Sequence, residues 1–133
     1  MRSDGAAEHG PDDRALLVVN ADDYGLTEGV SRAILHAHRD GIVTSTSVLA
    51  LAPGFAASVR WLDDAPALGT GAHLAAVGED PPLLSAREVP TLVDRRGRLW
   101  SSWRVFLPLA AAGRIDPEDL RREFGAQMEA IAG

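Results

Sequence analysis

The chain has 133 residues, enough for one small domain that buries a core without help from disulfides or a metal. Its net charge is −6 and its 13 basic residues are all arginine, so it lacks the basic footprint that non-specific nucleic-acid binding needs. It contains no cysteine, which excludes a disulfide framework and thiolate metal ligation, and no apolar run approaches the roughly 18 residues of a membrane span.

Residues 1–14 are rich in Asp, Gly, Glu and Ala and contain no apolar segment of signal-peptide length. They read as a disordered leader ahead of a single unit, residues 15–133, of a soluble, cytoplasmic protein. Residues 15–20 (ALLVVN) form a short apolar run, as expected for a strand buried on both faces. Residues 21–26 (ADDYGL) read as a polar loop. Thr27 is a good N-cap and Glu28 adds negative charge to the first turn of a helix. Val30, Ala33, Ile34 and Ala37 follow at helical spacing, and Asp40-Gly41 ends the helix with a glycine. Residues 42–51 (IVTSTSVLAL) are rich in β-branched side chains and predict a second strand, broken by Pro53-Gly54. Residues 55–62 predict a short helix with Val59 and Leu62 inward. Residues 68–75 (LGTGAHLA) predict a third strand ending near His73. The alternation β-α-β-α-β implies a parallel sheet with right-handed crossovers.

The remainder has a different character. Residues 78–90 carry Pro81, Pro82 and Pro90 without periodicity and read as a loop. Residues 92–100 (LVDRRGRLW) predict a small hairpin turning at Arg96-Gly97, and residues 102–112 a helix. Asp116 as N-cap, Pro117 in the first turn and Asp119 at the capping-box position start a last helix. Its apolar stripe is Leu120, Phe124, Met128 and Ile131.

Asp22 and Asp23 are placed just past the first strand, at the edge where parallel sheets build their sites. Two adjacent carboxylates repel, and a nearby cation relieves that repulsion. The pair therefore reads either as a metal ligand beside a general base or as a solvated turn. His73 ends the third strand after Gly69, Thr70 and Gly71, glycines that suit a close approach of backbone or ligand. A histidine here is a metal ligand, an acid–base group or a structural residue. Asp23 and His73 at one sheet edge strengthen each other as ligands, although a catalytic zinc usually takes three protein ligands. His36 and His38, two apart on the first helix, read as surface residues, and His9 lies in the leader. Trp61 reads as packing, whereas Trp100 and Trp103 could stack on a sugar ring. Ser45, Thr46 and Ser47 lack the glycine-flanked elbow of a serine nucleophile and read as strand hydroxyls lining a wall.

These segments carry a resemblance. Residues 19–26 (VNADDYGL) closely resemble the N-A-D-D-F-G-L signature of the YdjC-like carbohydrate deacetylases, a family that includes chitooligosaccharide deacetylases. Residues 41–47 (GIVTSTS), 69–74 (GTGAHL), 92–94 (LVD) and 97–99 (GRL) resemble further segments of the same family, in order. The resemblance implies a deformed (β/α) barrel, of which this chain would be a truncated portion. It also implies metal-dependent hydrolysis of an N-acetyl group from an amino sugar or oligosaccharide. Carried over residue by residue, it makes Asp23 and His73 metal ligands for a divalent ion, zinc or magnesium, and Asp22 the general base that takes a proton from water. Tyr24 stands where the family has Phe, and Tyr24 and Trp100 are candidates for substrate contact. Residues 75–78 (AAVG) depart from the family pattern. The family's third ligand, a histidine on the next strand, would fall beyond Gly133. The expectation is therefore weak or absent activity for these 133 residues alone, and turnover equal to a full-length relative would overturn it. An open sheet edge would favour self-association. The alternatives are a non-catalytic remnant of the same family that binds a sugar or a partner, and a signalling receiver domain. A receiver needs a late-strand Lys, and this chain has no Lys.

Overall fold

The structure, a computed structural model, describes residues 15–133; the expected leader and His9 lie outside them. Three parallel strands set the frame: β1 Asn20–Tyr24, β2 Ser45–Val48 and β3 Gly69–Ala72, ordered β1-β2-β3. Helix α1 Glu28–Arg39 joins β1 to β2. The short α2 Phe55–Ser58, continued by a 3-10 turn Val59–Asp64, joins β2 to β3. The expected β-α-β-α-β unit is thus present, with shorter strands than the apolar runs predicted.

The largest departure is at the start. Residues 15–19 are not part of the strand, and Leu16, Leu17 and Val18 are 93%, 78% and 70% exposed. A run buried on both faces needs neighbours on both, and among the described residues β1 has β2 alone beside it. Val19 is tied to the sheet by its N–H to the Thr44 hydroxyl (3.0 Å) and by its carbonyl to the Thr44 N–H (2.9 Å). The strand instead runs through Asn20–Tyr24, so Asp22 and Asp23 belong to β1 rather than to a loop after it.

Helix α1 starts as its sequence dictates: the Thr27 side chain accepts from the Val30 N–H at 3.1 Å, and Glu28 pairs with Arg32 at 3.0 Å. Its buried face is Ser31, Ile34 and Leu35, while Ala33 is exposed. Each of the two aliphatic side chains contributes about 1.5–3 kcal/mol by burial. The helix does not end in a left-handed glycine. Asp40 is its C-cap in right-handed geometry, and Gly41 is required because a Cβ there would lie 2.6 Å from the Ala37 carbonyl oxygen. His36 pairs with Asp40 on the surface at 2.8 Å, and His38 Nδ1 lies 2.8 Å from the Val43 carbonyl, pinning the turn into β2. Tyr24, Ile34, Leu35, Val48, Ala65 and Leu68 form the core between sheet and helices, with Trp61 and Leu62 packed on it and Arg32 over the Trp61 ring.

A second core lies in the C-terminal part, made of Ala76, Val89, Leu92, Leu99, Phe106 and Ile115. The expected hairpin is reduced to a single antiparallel bridge, Val93 to Leu99, closed around Gly97 at φ +75°. The Asp94 carboxylate holds the turn by accepting from the Arg96 and Arg98 N–H groups at 2.7 and 3.1 Å. Helices α3 Trp103–Ala111 and α4 Pro117–Ala132 follow, and Asp116 caps α4 by accepting from the Glu118 N–H at 2.9 Å.

The buried stripe of α4 is polar. Asp119, Glu123 and Gln127, four residues apart, are buried, while Met128 of the expected apolar stripe is exposed. Asp119 does not close a capping box. Its carboxylate accepts from the Thr91 N–H (3.0 Å) and hydroxyl (2.7 Å) and pairs with Arg122. Gln127 clasps the backbone of Ala75, accepting from its N–H at 2.9 Å and donating to its carbonyl at 3.0 Å. The loops that bury Ala76, Val89 and Leu92 in the second core are thus also held to α4 through their backbone groups.

Burial pushes the Asp119 carboxyl up, but the Thr91 donors and Arg122 outweigh it and hold the group below its ordinary value. A depressed folded value contributes stability above the unfolded value of about 3.9, lost as pH falls through the folded one. Asp119→Asn is therefore expected to destabilise the protein at pH 7 by about 1.5–3 kcal/mol, as for hydrogen bonds to a charged group. Urea titrations should find that gap narrowing below about pH 4; a gap constant with pH would assign the loss to packing.

Candidate metal and acid–base site

The register of the sheet brings the candidate residues together. Tyr24 pairs with Val48 and Val48 with Ala72, so the residues flanking these positions meet at one end of the sheet. His73 follows directly, its N–H donating to the Val48 carbonyl at 2.9 Å, while the Tyr24 carbonyl accepts from Leu49 at 2.8 Å. Asp23 and His73 come from the two outer strands and meet over the end of β2.

Simple alternation along β1 would turn Asp23 to the α1 side. A register irregularity between Ala21 and Tyr24 prevents this, and Asp23 adopts a left-handed conformation, φ +68°. A bulge of this kind re-aims a side chain, and aspartate is among the few residues that tolerate the conformation. The neighbours hold it in place. Tyr24 is fully buried and its hydroxyl donates to the Ser58 carbonyl at 2.7 Å. Gly25, at φ +95°, donates its N–H to Ser31 Oγ at 3.0 Å, and Ser31 and Ser58 share a buried hydrogen bond of 3.1 Å. The α2 start packs backbone to backbone on this turn: a Cβ at Gly54 would stand 2.7 Å from the Gly25 carbonyl oxygen.

Asp23 Oδ1 and His73 Nδ1 are 3.1 Å apart, with side chains 45% and 38% exposed. The two atoms are close enough to pair, yet the contact is not aligned as a hydrogen bond, and the buried Nδ1 has no other partner among the described residues. A buried ring nitrogen without a partner normally carries a cost. Beside a carboxylate oxygen, it fits a pair whose lone pairs share a cation, so these residues suit a divalent metal of the kind that takes oxygen and nitrogen donors. Among the described residues no third His, Asp or Glu joins them. Neither Asp22 nor Asp23 has an arginine partner among those residues, so the two carboxylates leave the sheet edge locally negative.

Asp22 is exposed, on the sheet face it shares with Asn20. Its Oδ1 accepts from Asn20 Nδ2 at 2.9 Å and from the Ser47 hydroxyl. Ser45 and Ser47 therefore belong to the candidate site, whereas Thr46 is buried and donates to the Ala21 carbonyl at 2.7 Å. Asn20, a residue that motif reading leaves out, was detectable by its two-residue spacing from Asp22.

The two candidates for substrate contact lie elsewhere. Burial of Tyr24 pushes its phenol above the ordinary value and its hydroxyl is engaged, so it supports the Asp23 turn and presents no group to a ligand. Trp100 packs on the second core and its indole N–H donates to the Thr91 carbonyl at 3.0 Å. A cleft of about 640 Å³ between the 3-10 turn, β3 and the end of α4 is lined by Leu62, Leu68, Thr70, Ile131 and Gly133 among others, and none of the candidate residues lines it.

The chain belongs to the YdjC-like protein family, whose model matches residues 16–133. It is 35% identical over 112 residues to a carbohydrate deacetylase of Brevibacillus brevis, covering 84% of this chain and 42% of that protein. A carbohydrate deacetylase of Enterococcus faecalis is 40% identical over 114 residues, covering 84% and 41%. A crystal structure from Enterococcus faecalis, of a protein described as a cellobiose-phosphate cleavage protein, superposes with a TM-score of 0.75 at 33% identity over 86% of this chain and 42% of that one. The chain thus spans less than half the length of these relatives. Among the described residues no helix is long and apolar enough to cross a membrane.

Proposed function

We propose that this chain carries the metal and acid–base half-site of a carbohydrate deacetylase, in which an N-acetyl group is hydrolysed from an amino sugar. The observation that carries the reading is His73 Nδ1, which has no aligned hydrogen bond among the described residues, held 3.1 Å from Asp23 Oδ1, with Asp22 the adjoining residue. The names of the relatives support a carbohydrate as the substrate and deacetylation as the reaction. Asp23 and His73 would hold a divalent ion, zinc or magnesium, which when bound supplies Lewis-acid polarisation of an amide carbonyl and acidification of water.

The chain's own residues account for the rest. Asp22 accepts the proton that water gives up as its oxygen adds to the acetyl carbon. The C–N bond then breaks, and that proton leaves with the sugar nitrogen as the free amine, with acetate as the other product. The left-handed turn at Asp23 keeps the two carboxylates apart in role: one faces His73, the other the Ser47 side of the sheet.

A binding role without turnover is favoured by the finding that only two ligand-type residues meet among those described. Acetate release from an N-acetylated chitooligosaccharide by zinc-loaded protein separates the readings. The deacetylase reading expects slow release that falls by about 10²-fold or more in Asp22→Asn, the scale of a lost general base, with zinc affinity unchanged. Zinc binding with no release from the unaltered chain would leave the binding role.

A further inference from the structure

We infer that Asn20, Ser45 and Ser47 form a relay that fixes the plane of the Asp22 carboxylate and leaves Oδ2 as the oxygen that takes the proton. This inference rests on the reading of Asp22 as a base. Two donors converge on one oxygen: the Ser47 hydroxyl and Asn20 Nδ2, the latter at 2.9 Å, both reach Asp22 Oδ1. The Asn20 amide is itself oriented, because its Oδ1 accepts from the Ser45 hydroxyl at 2.8 Å, which turns its nitrogen toward Asp22 and Ser47. Asn20 and Ser45 are register partners across β1 and β2, so the relay is built into the strand pairing. Oδ2 receives no hydrogen bond among the described residues.

An exposed aspartate ordinarily rotates broadly about its last torsion. Two donors on one oxygen, each charge-assisted, remove that freedom and present the other oxygen in a fixed direction. A general base works through geometry first, and misplacement by about 1 Å can reduce a rate about 10²-fold. Ser47 and Asn20 are positioning residues: they act on the reaction through Asp22. The competing role is structural, two cross-strand hydrogen bonds that stitch β1 to β2. Such stitching would be felt in stability and in the hydrogen bonding of the carboxylate, and would leave the turnover number untouched.

The test uses the full chain with Ser47→Ala, Asn20→Ala and the hydroxyl-retaining Ser47→Thr. The first readout is the side-chain carboxyl carbon resonance of Asp22 in metal-free protein at about pH 8, well above the ordinary carboxylate range, assigned by its loss in Asp22→Asn. Both alanine variants should move it, and Ser47→Thr should leave it in place. The second readout is acetate release at saturating zinc: kcat should fall about tenfold or more in the alanine variants, KM should stay within about twofold, and Ser47→Thr should recover most of the rate. A resonance unmoved in both alanine variants overturns the inference. A resonance that moves while kcat stays within about twofold leaves the two residues as cross-strand stitching and also overturns it, whereas a resonance that moves in a chain that releases no acetate upholds the fixed carboxylate and places the failure in the deacetylase reading. Should Ser47→Ala fail to fold, Asn20→Ala and Ser47→Thr still decide between the outcomes.

Discussion

Asp23→Ala and His73→Ala are each expected to weaken zinc binding by at least about 100-fold, close to 3 kcal/mol at the tenfold-per-1.4 conversion. Calorimetric titration of metal-stripped protein would measure it. Neither residue can substitute for the other. Asp23 is re-aimed by the left-handed turn at φ +68°, and His73 is fixed by its own N–H on the Val48 carbonyl. With only these two donors meeting among the described residues, removal of one leaves a single ligand, too little to hold a divalent ion against water. His73→Ala should leave the fold intact, since each side chain is over a third exposed and pairs only with the other among the described residues, and Asp23→Asn, which tolerates φ +68° as alanine does not, controls for backbone strain at Asp23. Unfolding temperatures close to that of the unaltered chain would confirm that the lost affinity is local. Micromolar zinc affinity that survives either substitution would mean that the ion is held elsewhere, and the half-site assignment would fall.

The parts of this arrangement that the sequence discloses are those governed by local rules. Thr27, Glu28, Asp116 and Pro117 announce helix starts because capping is a matter of one to three neighbouring residues. The Asp-Asp pair and His73 stand out because few other residue types do their chemistry. Longer-range effects were hidden. The run at residues 15–19 looks like an interior strand, but interior strands need neighbours that a linear pattern cannot supply, and Leu16 to Val18 are exposed. The position of Asp23 depends on a bulge, which shifts side chains by one place without altering composition. Tyr24 was a substrate candidate by proximity to the motif. Its burial follows from Ser58, 34 residues away, whose carbonyl takes its hydroxyl. On α4 the 3.6-residue period marked Leu120, Phe124, Met128 and Ile131. Leu120, Phe124 and Ile131 do pack on the two cores, yet a second stripe, Asp119, Glu123 and Gln127, is buried more deeply, because the loops it meets also present backbone N–H groups that need acceptors.

That inversion leads to the largest expected effect on stability. Glu123 is fully buried. Its Oε1 accepts from the Leu83 N–H at 3.0 Å and from Gln127 Nε2 at 2.9 Å, and its Oε2 accepts from the Leu84 N–H at 3.1 Å. Glu123→Ala leaves the part-buried Leu83 and Leu84 N–H groups without an acceptor, while Gln127 Nε2 keeps the Ala75 carbonyl, and at about 1–3 kcal/mol for each unmet donor a loss of about 2–5 kcal/mol is expected. Against a typical stability of about 5–15 kcal/mol, this brings the protein near its unfolding threshold. Glu123→Leu should do no better, because filling the space satisfies no donor. Glu123→Gln should recover part of the loss: one oxygen still accepts, while the new amide group faces the Leu84 N–H, donor against donor. The order Gln above Leu and Ala in urea midpoints is the signature of a polar clasp, and Leu above Gln would identify ordinary packing. Hydrogen exchange localises the effect, with the Leu83 and Leu84 amides losing protection first. Gln127, freed from Glu123, also holds both backbone groups of Ala75, two residues beyond His73. A protein that folds with Glu123→Ala should therefore bind zinc more weakly than the unaltered chain even though no ligand has been touched, since the clasp on α4 steadies the segment that presents the histidine.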